Sequence, residues 1–312
     1  MSIKLIASDM DGTLLDPQGK ITAQNIAAIG CLAEKDIEFL ICSGRDYTDA
    51  KNIMEGCGIT CGYICLSGAL TFDRYGTMQS EIPLTSQNLF DIEKIFSDHQ
   101  VPMEILTAGR RYTTASKKEK LQQTLAFLKS RAGTSPIRLE KLEEAARKRV
   151  AKVTFIRSLK EIVHKETIFK ICGNGLAPQK AAGMKDTFSA FPDLAAASSF
   201  PTNIELTNSR AQKGPALKAY AERKGISLKD VMVLGDSDND LSMFTPEFGW
   251  TVAMENSMSQ KLRAGRKSIN FLLNRHVSLD KIYYVCYSTH RTKKDRTIQR
   301  ISPAGLAMSS LK

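Results

Sequence analysis

Short apolar runs alternate with helical segments along the first part of the chain, and this alternation restricts its fold more than any other feature. Residues 3–8, 37–42 and 63–66 are apolar runs of strand length. Helical periodicity separates them over residues 22–35, where Thr22 is the expected N-cap, and again around residues 46–55. Strands that alternate with helices form a parallel sheet with helices on both faces. The sequence therefore predicts an α/β fold.

The alternation stops near Pro83 and resumes with a predicted helix at residues 213–224 and a predicted strand at residues 231–234. The segment between mixes helical stretches with short β-like pieces, which is typical of an α+β domain inserted into the first one. The predicted organisation is a core, an inserted domain and a C-terminal tail: residues 1–82 with 198–265, residues 83–197, and residues 266–312.

Polar residues follow three of the predicted strands, at the ends where open parallel sheets bind ligands. Residues 9–13 read Asp-Met-Asp-Gly-Thr, and Asp9 and Asp11 are two apart, so an extended backbone points both to one side. Carboxylates that close repel each other unless a cation neutralises them or one is protonated. A Mg²⁺ ion, which prefers oxygen ligands, suits this site. A solvated acidic turn is the alternative for this motif alone.

Two further strand ends and one helix start carry groups that suit a phosphate. Ser43 and Gly44 offer a hydroxyl and an amide as hydrogen-bond donors. Lys213 opens the predicted helix and can neutralise both a phosphate and a carboxylate. Residues 235–240 read Gly-Asp-Ser-Asp-Asn-Asp, and three carboxylates in that stretch call for a cation. The order of residues required by an EF-hand loop is missing there.

These four motifs, in this order and at these strand ends, resemble those of the haloacid dehalogenase superfamily of phosphatases. The resemblance is to its Cof-type members, subclass IIB, and covers about residues 1–265. It implies a Rossmann-like parallel-sheet core with an inserted α+β cap that selects substrates. It also implies a Mg²⁺-dependent phosphatase of small phosphorylated metabolites such as sugar phosphates. In the cap, Arg110, Arg111 and Tyr112 either touch substrate or form a solvated basic turn.

The resemblance also assigns roles. Asp9 is the expected nucleophile, which forms an aspartyl-phosphate, and Asp11 is the expected general acid and then base. Asp9, the carbonyl of Asp11 and Asp236 are expected to bind Mg²⁺, with Ser237 nearby. The expected phosphate-binding groups are the amides of Met10 and Gly44 and the side chains of Ser43, Lys213 and Asn239. Asp240 is expected to orient either Lys213 or a metal-bound water.

The net charge of +11 is concentrated in the tail. Residues 266–312 hold ten Lys or Arg and two Asp or Glu, a net +8, while the other residues carry 34 basic and 31 acidic groups. This distribution does not favour a nucleic-acid partner for the core. The alternatives left open are a phosphomutase, a catalytically silent phosphate-binding protein, and a nucleic-acid-binding protein that acts through its tail.

The resemblance ends near Gly265, and either a divergent extension or a shifted reading frame would explain the tail. Its ten basic residues favour a loose extension, whereas its apolar runs at 269–273 and 282–287 are consistent with packing on the core. The chain has no apolar run of membrane-spanning length and no apolar N-terminal signal, so we expect a cytoplasmic protein without a membrane partner. Seven scattered cysteines predict reduced thiols. The oligomeric state is left open.

Overall fold

The structure is a computed structural model that describes residues 3–16, 18–132, 139–254, 257, 271–273 and 299–301. The first part of the chain alternates strands and helices as expected and then adds two short strands. Its elements are β1 (Leu5–Ser8), α1 (Ala23–Ala33), β2 (Glu38–Cys42), α2 (Tyr47–Glu55), β3 (Gly62–Cys65), β4 (Leu70–Phe72) and β5 (Met78–Glu81).

The middle of the chain forms a second group of elements. They are α3 (Ser86–Asp98), β6 (Met103–Thr107), β7 (Arg111–Thr113), α4 (Lys117–Ala132), α5 (Leu139–Val150), β8 (Val153–Phe155), β9 (Ile168–Asn174), α6 (Pro178–Phe188), β10 (Leu194–Ala197) and β11 (Asn203–Asn208). The chain then returns to the first group with α7 (Lys213–Arg223), β12 (Val231–Gly235), β13 (Trp250–Met254), β14 (Phe271–Leu273) and β15 (Gln299–Ile301).

Within the described residues, the first group builds one sheet in the order β15-β14-β13-β12-β1-β2-β3-β4-β5. Its strands run parallel from β15 to β3, and the last two pairings, β3 with β4 and β4 with β5, are antiparallel. The central strand β1 lies between β2 and β12, and Leu5, Ile6 and Ala7 are fully buried. Apolar side chains on both faces are what a parallel sheet covered by helices requires.

Side chains fix the starts of the helices that cover this sheet. The Thr22 hydroxyl accepts a hydrogen bond from the amide of Asn25, which confirms the predicted N-cap of α1. The carboxylate of Asp46 caps α2 in the same way by accepting from the amide of Asp49 at 2.8 Å. These caps set where each helix leaves the carboxyl end of the preceding strand, and that end carries the polar motifs.

The second group forms a sheet in the order β10-β11-β9-β6-β7-β8, antiparallel except for the pairing of β7 with β8. Ile105, Ile171 and Leu206 of this sheet share an apolar cluster with side chains of α3 and α6, including Ile92 and Met184. We call this sheet and helices α3 to α6 the cap. The predicted fold class, a Rossmann-like parallel core with an inserted α+β cap, is confirmed.

The strand β11 lies beyond residue 197, where the inserted domain was expected to end. It pairs with β9 and β10, so the cap sheet extends to Asn208. Residues 203–208 contain an apolar-polar alternation that suits a strand in either sheet, and only the pairing distinguishes them. The other expected domain boundaries stay predictions.

Two short segments of the tail, β14 and β15, continue the core sheet beside β13 in parallel register. The rest of residues 266–312, including the apolar run at 282–287, lies outside the described residues. No helix in the described part of the chain is both long enough and apolar enough to cross a bilayer.

Candidate active site

The carboxylate of Asp9 lies directly after β1 and contacts the ammonium of Lys213. Asp9 Oδ1 accepts a hydrogen bond from Lys213 Nζ at 2.7 Å, and the same Nζ donates to Asp240 Oδ1 at 2.6 Å. Asp9 is 4% exposed, and Lys213 and Asp240 are fully buried. An ammonium held between two buried carboxylates stays charged. Lys213 therefore orients Asp9 and opposes the cost of burying its charge.

Asp240 is itself held rigidly at the end of β12. Its Oδ2 accepts hydrogen bonds from the amides of Asp236 and Ser237, both at 3.0 Å. This arrangement is the capping box of a 3₁₀ turn over Asp238–Met243. A β-carbon on Gly235 would lie 2.6 Å from Asp240 Cγ, so the close approach requires glycine at that position.

Asp236 completes an acidic cluster with Asp9 and Asp240. One carboxylate oxygen from each of the three lies within 4.8 Å of the others. Thr13 Oγ1 donates to Asp236 Oδ1 at 3.2 Å. Gly12 has a positive φ of 86°, and a β-carbon there would lie 2.2 Å from Asp236 Oδ2. The loop after β1 therefore packs tightly on the loop after β12, and this packing brings the predicted residues together.

Burial and mutual repulsion disturb the ionisation of this cluster. Desolvation raises the pKa of Asp9 well above its usual range, against the opposing effect of the Lys213 ammonium. Burial, together with the charge of Asp240, raises the pKa of Asp236 to about 7. Burial alone would lower the pKa of Lys213, but the charges of Asp240 and Asp9 outweigh it and raise that pKa. Three carboxylates share one ammonium here, so ionisation of all three is unfavourable.

The donor set fits a Mg²⁺ ion. Mg²⁺ prefers hard oxygen ligands, and the carboxylates of Asp9 and Asp236 offer them side by side. Both oxygens of Asp240 already accept hydrogen bonds, so Asp240 suits the role of orienting Lys213 that the resemblance implies. The Ser237 hydroxyl, expected near the metal, donates to Asn239 Oδ1 at 2.9 Å. Burial raises the pKa of Asp236 most, and a divalent cation would relieve the repulsion from Asp240 that adds to this shift.

The loop after β2 supplies the expected phosphate-binding groups. Ser43 is 1% exposed, and its Oγ accepts a hydrogen bond from the amide of Arg45 at 3.2 Å. Its carbonyl accepts from the amide of Ser67 at 3.0 Å, which ties this loop to the loop after β3. A β-carbon on Gly44 would lie 3.6 Å from Asn239 Nδ2. The fold therefore brings the loop after β2 next to the loop after β12.

Asp11 makes an ion pair that the sequence analysis did not assign. Arg45 Nε donates to Asp11 Oδ2 at 2.6 Å and Arg45 Nη2 donates to Asp11 Oδ1 at 2.9 Å. The third nitrogen, Arg45 Nη1, donates to Asp49 Oδ2 at 2.7 Å. The expected general acid is thus held by a two-point contact from the motif that also contains Ser43. Met10 places its side chain in the core and is fully buried.

Two cap residues that the sequence motifs do not indicate, Lys170 and Glu205, lie next to the loop after β2. Lys170 and Glu205 form a buried ion pair with Nζ and Oε2 2.6 Å apart, and Lys170 Nζ also donates to the Gly44 carbonyl. Lys170 is the one charged residue in the apolar segment 168–172, and Glu205 is the one charged residue in the alternating segment 203–208; this was the available signal. Buried charges are almost always paired, so two such positions predict a pair, although not which loop it contacts.

The basic turn of the cap, residues 110–112, makes defined ion pairs and hydrogen bonds and is not simply solvated. Arg111 forms an ion pair with Asp46 at the start of α2, and its Nε donates to Asp46 Oδ2 at 2.7 Å. Arg110 and Tyr112 both bind Glu166 within the cap. Arg111 is therefore a second contact between cap and core.

Comparison with known protein families gives a match over most of the chain. The sequence model of haloacid dehalogenase-like hydrolases matches residues 6–267. Among curated proteins, the phosphatase YwpJ of Bacillus subtilis is 29% identical over 260 residues, which is 82% of this chain and 90% of that protein. The 5-amino-6-(5-phospho-D-ribitylamino)uracil phosphatase YwtE of the same organism is 29% identical over 271 residues, covering 83% and 90%.

Solved structures give the same result. A haloacid dehalogenase-like hydrolase from B. subtilis superposes with a TM-score of 0.76 and 26% sequence identity. The superposition covers 93% of this chain and all of that one. The resemblance inferred from the four motifs is confirmed.

Proposed function

The chain belongs to the haloacid dehalogenase-like hydrolases and is a phosphatase, and from this we propose that it hydrolyses phosphate monoesters of small metabolites through Asp9. The observation that carries the proposal is the buried Asp9–Lys213–Asp240 arrangement beside Asp236. It supports a role for Asp9 as nucleophile because Lys213 holds one of its oxygens in a fixed position beside the acidic cluster.

In the first step, a carboxylate oxygen of Asp9 attacks the phosphorus of the substrate. A bond forms between that oxygen and phosphorus as the bond from phosphorus to the leaving oxygen breaks. Asp11 gives its proton to the leaving oxygen, so the product departs as an alcohol. A two-point ion pair with Arg45 favours the carboxylate form of Asp11, so Asp11 is expected to leave Arg45 when it carries this proton.

In the second step, water attacks the phosphorus of the aspartyl-phosphate. Asp11, now a carboxylate, accepts a proton from that water, and the bond between phosphorus and Asp9 breaks. Inorganic phosphate leaves and both aspartates return to their starting states. Splitting the hydrolysis in this way replaces one difficult displacement by two easier ones.

Negative charge spreads over the phosphoryl oxygens in both transition states and needs positive partners in place beforehand. Lys213 supplies an ammonium next to Asp9. Ser43, Asn239 and the amides of Met10 and Gly44 are the proposed hydrogen-bond donors, and the proximity of Gly44 to Asn239 supports this set.

Asp9, Asp236 and the backbone carbonyl of Asp11 are the groups we expect to hold Mg²⁺, with Ser237 nearby. When bound, the ion supplies positive charge to the site and to the phosphoryl group. The raised pKa of Asp236 supports a cation there, because neutralising the carboxylates removes the repulsion that contributes to the shift.

For the substrate, we propose a small phosphorylated metabolite that fits between the core and the cap. Two curated relatives are named as 5-amino-6-(5-phospho-D-ribitylamino)uracil phosphatases, so that compound belongs in a test panel together with sugar phosphates. The contacts of the cap with the loops after β2 and β12 support a role for cap side chains in binding the leaving group.

The test is Asp9→Asn, assayed with p-nitrophenyl phosphate and Mg²⁺. The amide keeps the shape of the side chain but is a poor nucleophile, so we expect kcat to fall by about a thousandfold or more. Asp16→Asn, in the following loop, is the matched control and should keep wild-type activity. A chelator should also stop the wild-type reaction.

Several results would count against the proposal. An Asp9→Asn variant as active as the wild type would exclude the aspartyl-phosphate. Transfer that requires a sugar bisphosphate would indicate a phosphomutase instead. Phosphate binding without turnover of any panel member would indicate a catalytically silent binding protein.

A further inference from the structure

Lys170 is a cap residue whose ammonium lies at the loop after β2. It sits in the middle of β9, is 2% exposed, and donates three hydrogen bonds. Their acceptors are Glu205 Oε2 at 2.6 Å, the Gly44 carbonyl at 3.2 Å and Ser67 Oγ at 3.2 Å. Because an ammonium has three protons, this side chain has no donor left. One cap residue therefore binds the loops after β2 and β3 and a neighbouring cap strand.

The contact with the Gly44 carbonyl acts on Ser43. That carbonyl and the amide of Arg45 belong to one planar peptide unit, so fixing the oxygen fixes the N–H as well. The Arg45 amide donates to Ser43 Oγ at 3.2 Å. With that lone pair used, the hydroxyl proton of Ser43 is left to donate elsewhere, which is what a phosphate-binding serine must do.

Glu205 connects the same ion pair to the other side of the site. Its Oε1 accepts from Ser199 Oγ at 2.6 Å and from Asn203 Nδ2 at 3.0 Å. Ser199 Oγ in turn accepts from Asn239 Nδ2 at 3.2 Å. The Lys170–Glu205 pair is thus connected to Ser43 through the Gly44–Arg45 peptide unit and to Asn239 through the Ser199 hydroxyl.

The loop after β3 has an unusual backbone where it meets Lys170. Leu66 and Ser67 both have positive φ, 49° and 61°, a region that non-glycine residues seldom occupy. Their amides donate to the carbonyls of Arg45 and Ser43 at 2.9 and 3.0 Å. Such backbone persists only where the surroundings hold it. Here the hydrogen bonds hold the loop against residues 43–45, with Lys170 on Ser67 as the third contact.

The pair is charged as well as buried. Burial would lower the pKa of Lys170, but Glu205 raises it; burial would raise the pKa of Glu205, but Lys170 lowers it. A buried ion pair adds little net stability compared with apolar residues of the same size. What it does provide is a defined position for each group to which it donates.

We propose that Lys170 and Glu205 act together as positioning residues that set the phosphate-binding geometry of Ser43 and Asn239 when the cap rests on the core. This rests on the proposed function, in which Ser43 and Asn239 bind the phosphoryl group. The cap then does more than select a leaving group, because a correctly docked cap completes the phosphate site.

The test uses Lys170→Met, Glu205→Gln and the double variant in the full chain. We expect each single variant to raise the inhibition constant of inorganic phosphate, and to lower kcat/KM for p-nitrophenyl phosphate, by about tenfold or more. The double variant should cost no more than the worse single one, because the two residues act as a unit. Independent, multiplying effects, or an unchanged inhibition constant, would overturn the proposal.

Amide hydrogen exchange gives a second readout that needs no catalysis. Exchange over residues 43–46 should quicken in Lys170→Met while the amides of β1 keep their wild-type rates. The matched control is Lys120→Met, because Lys120 forms a buried ion pair with Glu104 inside the cap. It should leave exchange over residues 43–46 unchanged. Equal exchange over residues 43–46 in the wild type and Lys170→Met would overturn the positioning role. Failure of the wild type to turn over any substrate would refute the proposed function instead, and the exchange measurement does not depend on turnover.

Discussion

Asp236 lies in a cluster of carboxylates that a bound cation would neutralise. It lies beside Asp9 and Asp240, and its pKa is raised from 3.8 to about 7. Without a cation, the folded protein therefore keeps a proton on Asp236 that the unfolded chain releases at a lower pH. This difference couples stability, pH and metal binding at a single side chain.

The sign of that coupling gives a prediction. Since the pKa of Asp236 is raised on folding, its contribution is most favourable at low pH and is lost as pH rises through about 7. In a chelator, the wild-type Tm should fall from about pH 5 to about pH 8 relative to that of Asp236→Asn. Mg²⁺ should raise the wild-type Tm more at the higher pH, where no proton competes for the carboxylate.

Thermal melts of both proteins at the two pH values, with chelator and with Mg²⁺, measure this directly. The Asp236→Asn variant is the internal control because it cannot titrate at that position. An equal rise in wild-type Tm on adding Mg²⁺ at both pH values would show that Asp236 is not the group that binds the cation.

Among single residues, the sequence indicated those site residues whose partners belong to another of the four motifs. Asp9, Asp236 and Asp240 follow strands that a parallel sheet must bring to one edge, and Lys213 begins the helix that precedes β12; the structure brings these side chains close together. The partner of Asp11 could not be predicted, because the reach of Arg45 depends on how the loop after β2 turns.

The contact of α7 with the 3₁₀ turn at Asp238–Met243 positions Lys213 at the level of whole elements. The Gly214 amide donates to Ser242 Oγ at 2.9 Å, and a β-carbon on Gly214 would lie 1.9 Å from the Ser242 carbonyl oxygen. Only glycine lets the first turn of the helix come this close. The contact keeps the Lys213 ammonium within reach of Asp240.

Gly214→Ala should therefore push α7 away from the turn. We expect the free energy of unfolding to fall by about 1–3 kcal/mol and kcat to fall with it. Gly30→Ala is the matched control, since Gly30 lies in α1 with open space around it. That change should stabilise the protein by about 0.5–1 kcal/mol and leave kcat unchanged. Equal melting temperatures and rates for both variants would show that the contact does not hold Lys213.

The periodicity of the chain predicted the helices α1, α2 and α7 and the strand β12 after which the acidic motif comes. It did not assign β11 to the cap sheet, because an alternating strand carries no information about its neighbours. For the same reason, the sequence could not predict the Lys170–Glu205 pair. Its members are on β9 and β11, and they meet only because those two strands pair in antiparallel fashion.

The tail affects the molecule as a whole through the edge of the core sheet. The strands β14 and β15 extend that sheet beyond β13, while the residues assigned to catalysis all precede Gly265. Truncation after Gly265 should expose the edge of β13. If about 2 kcal/mol of pairing is lost, the Tm should fall by roughly 4 to 8 °C, while the folded fraction keeps its activity.

A tail that does not pack on the core would give different results in the same experiments. If the tail is a loose extension, a low dose of protease should cut it near Arg266 and leave an active fragment with the Tm of the full chain. Thermal melts of the truncated and full-length proteins, with mass spectrometry of the proteolytic fragments, distinguish the two outcomes.

The position of β1 at the centre of the core sheet has a consequence for how the protein is made. One of its neighbours is β2, but the other, β12, pairs through residues 231–234 and leaves the ribosome only after the whole cap. At about 5–20 residues per second, one edge of β1 waits roughly 10 to 40 s for its partner. The nascent chain therefore carries Asp9 from the start of translation, but gains Lys213 and Asp240 only after the cap has been made. The catalytic centre therefore forms only after the cap has been synthesised.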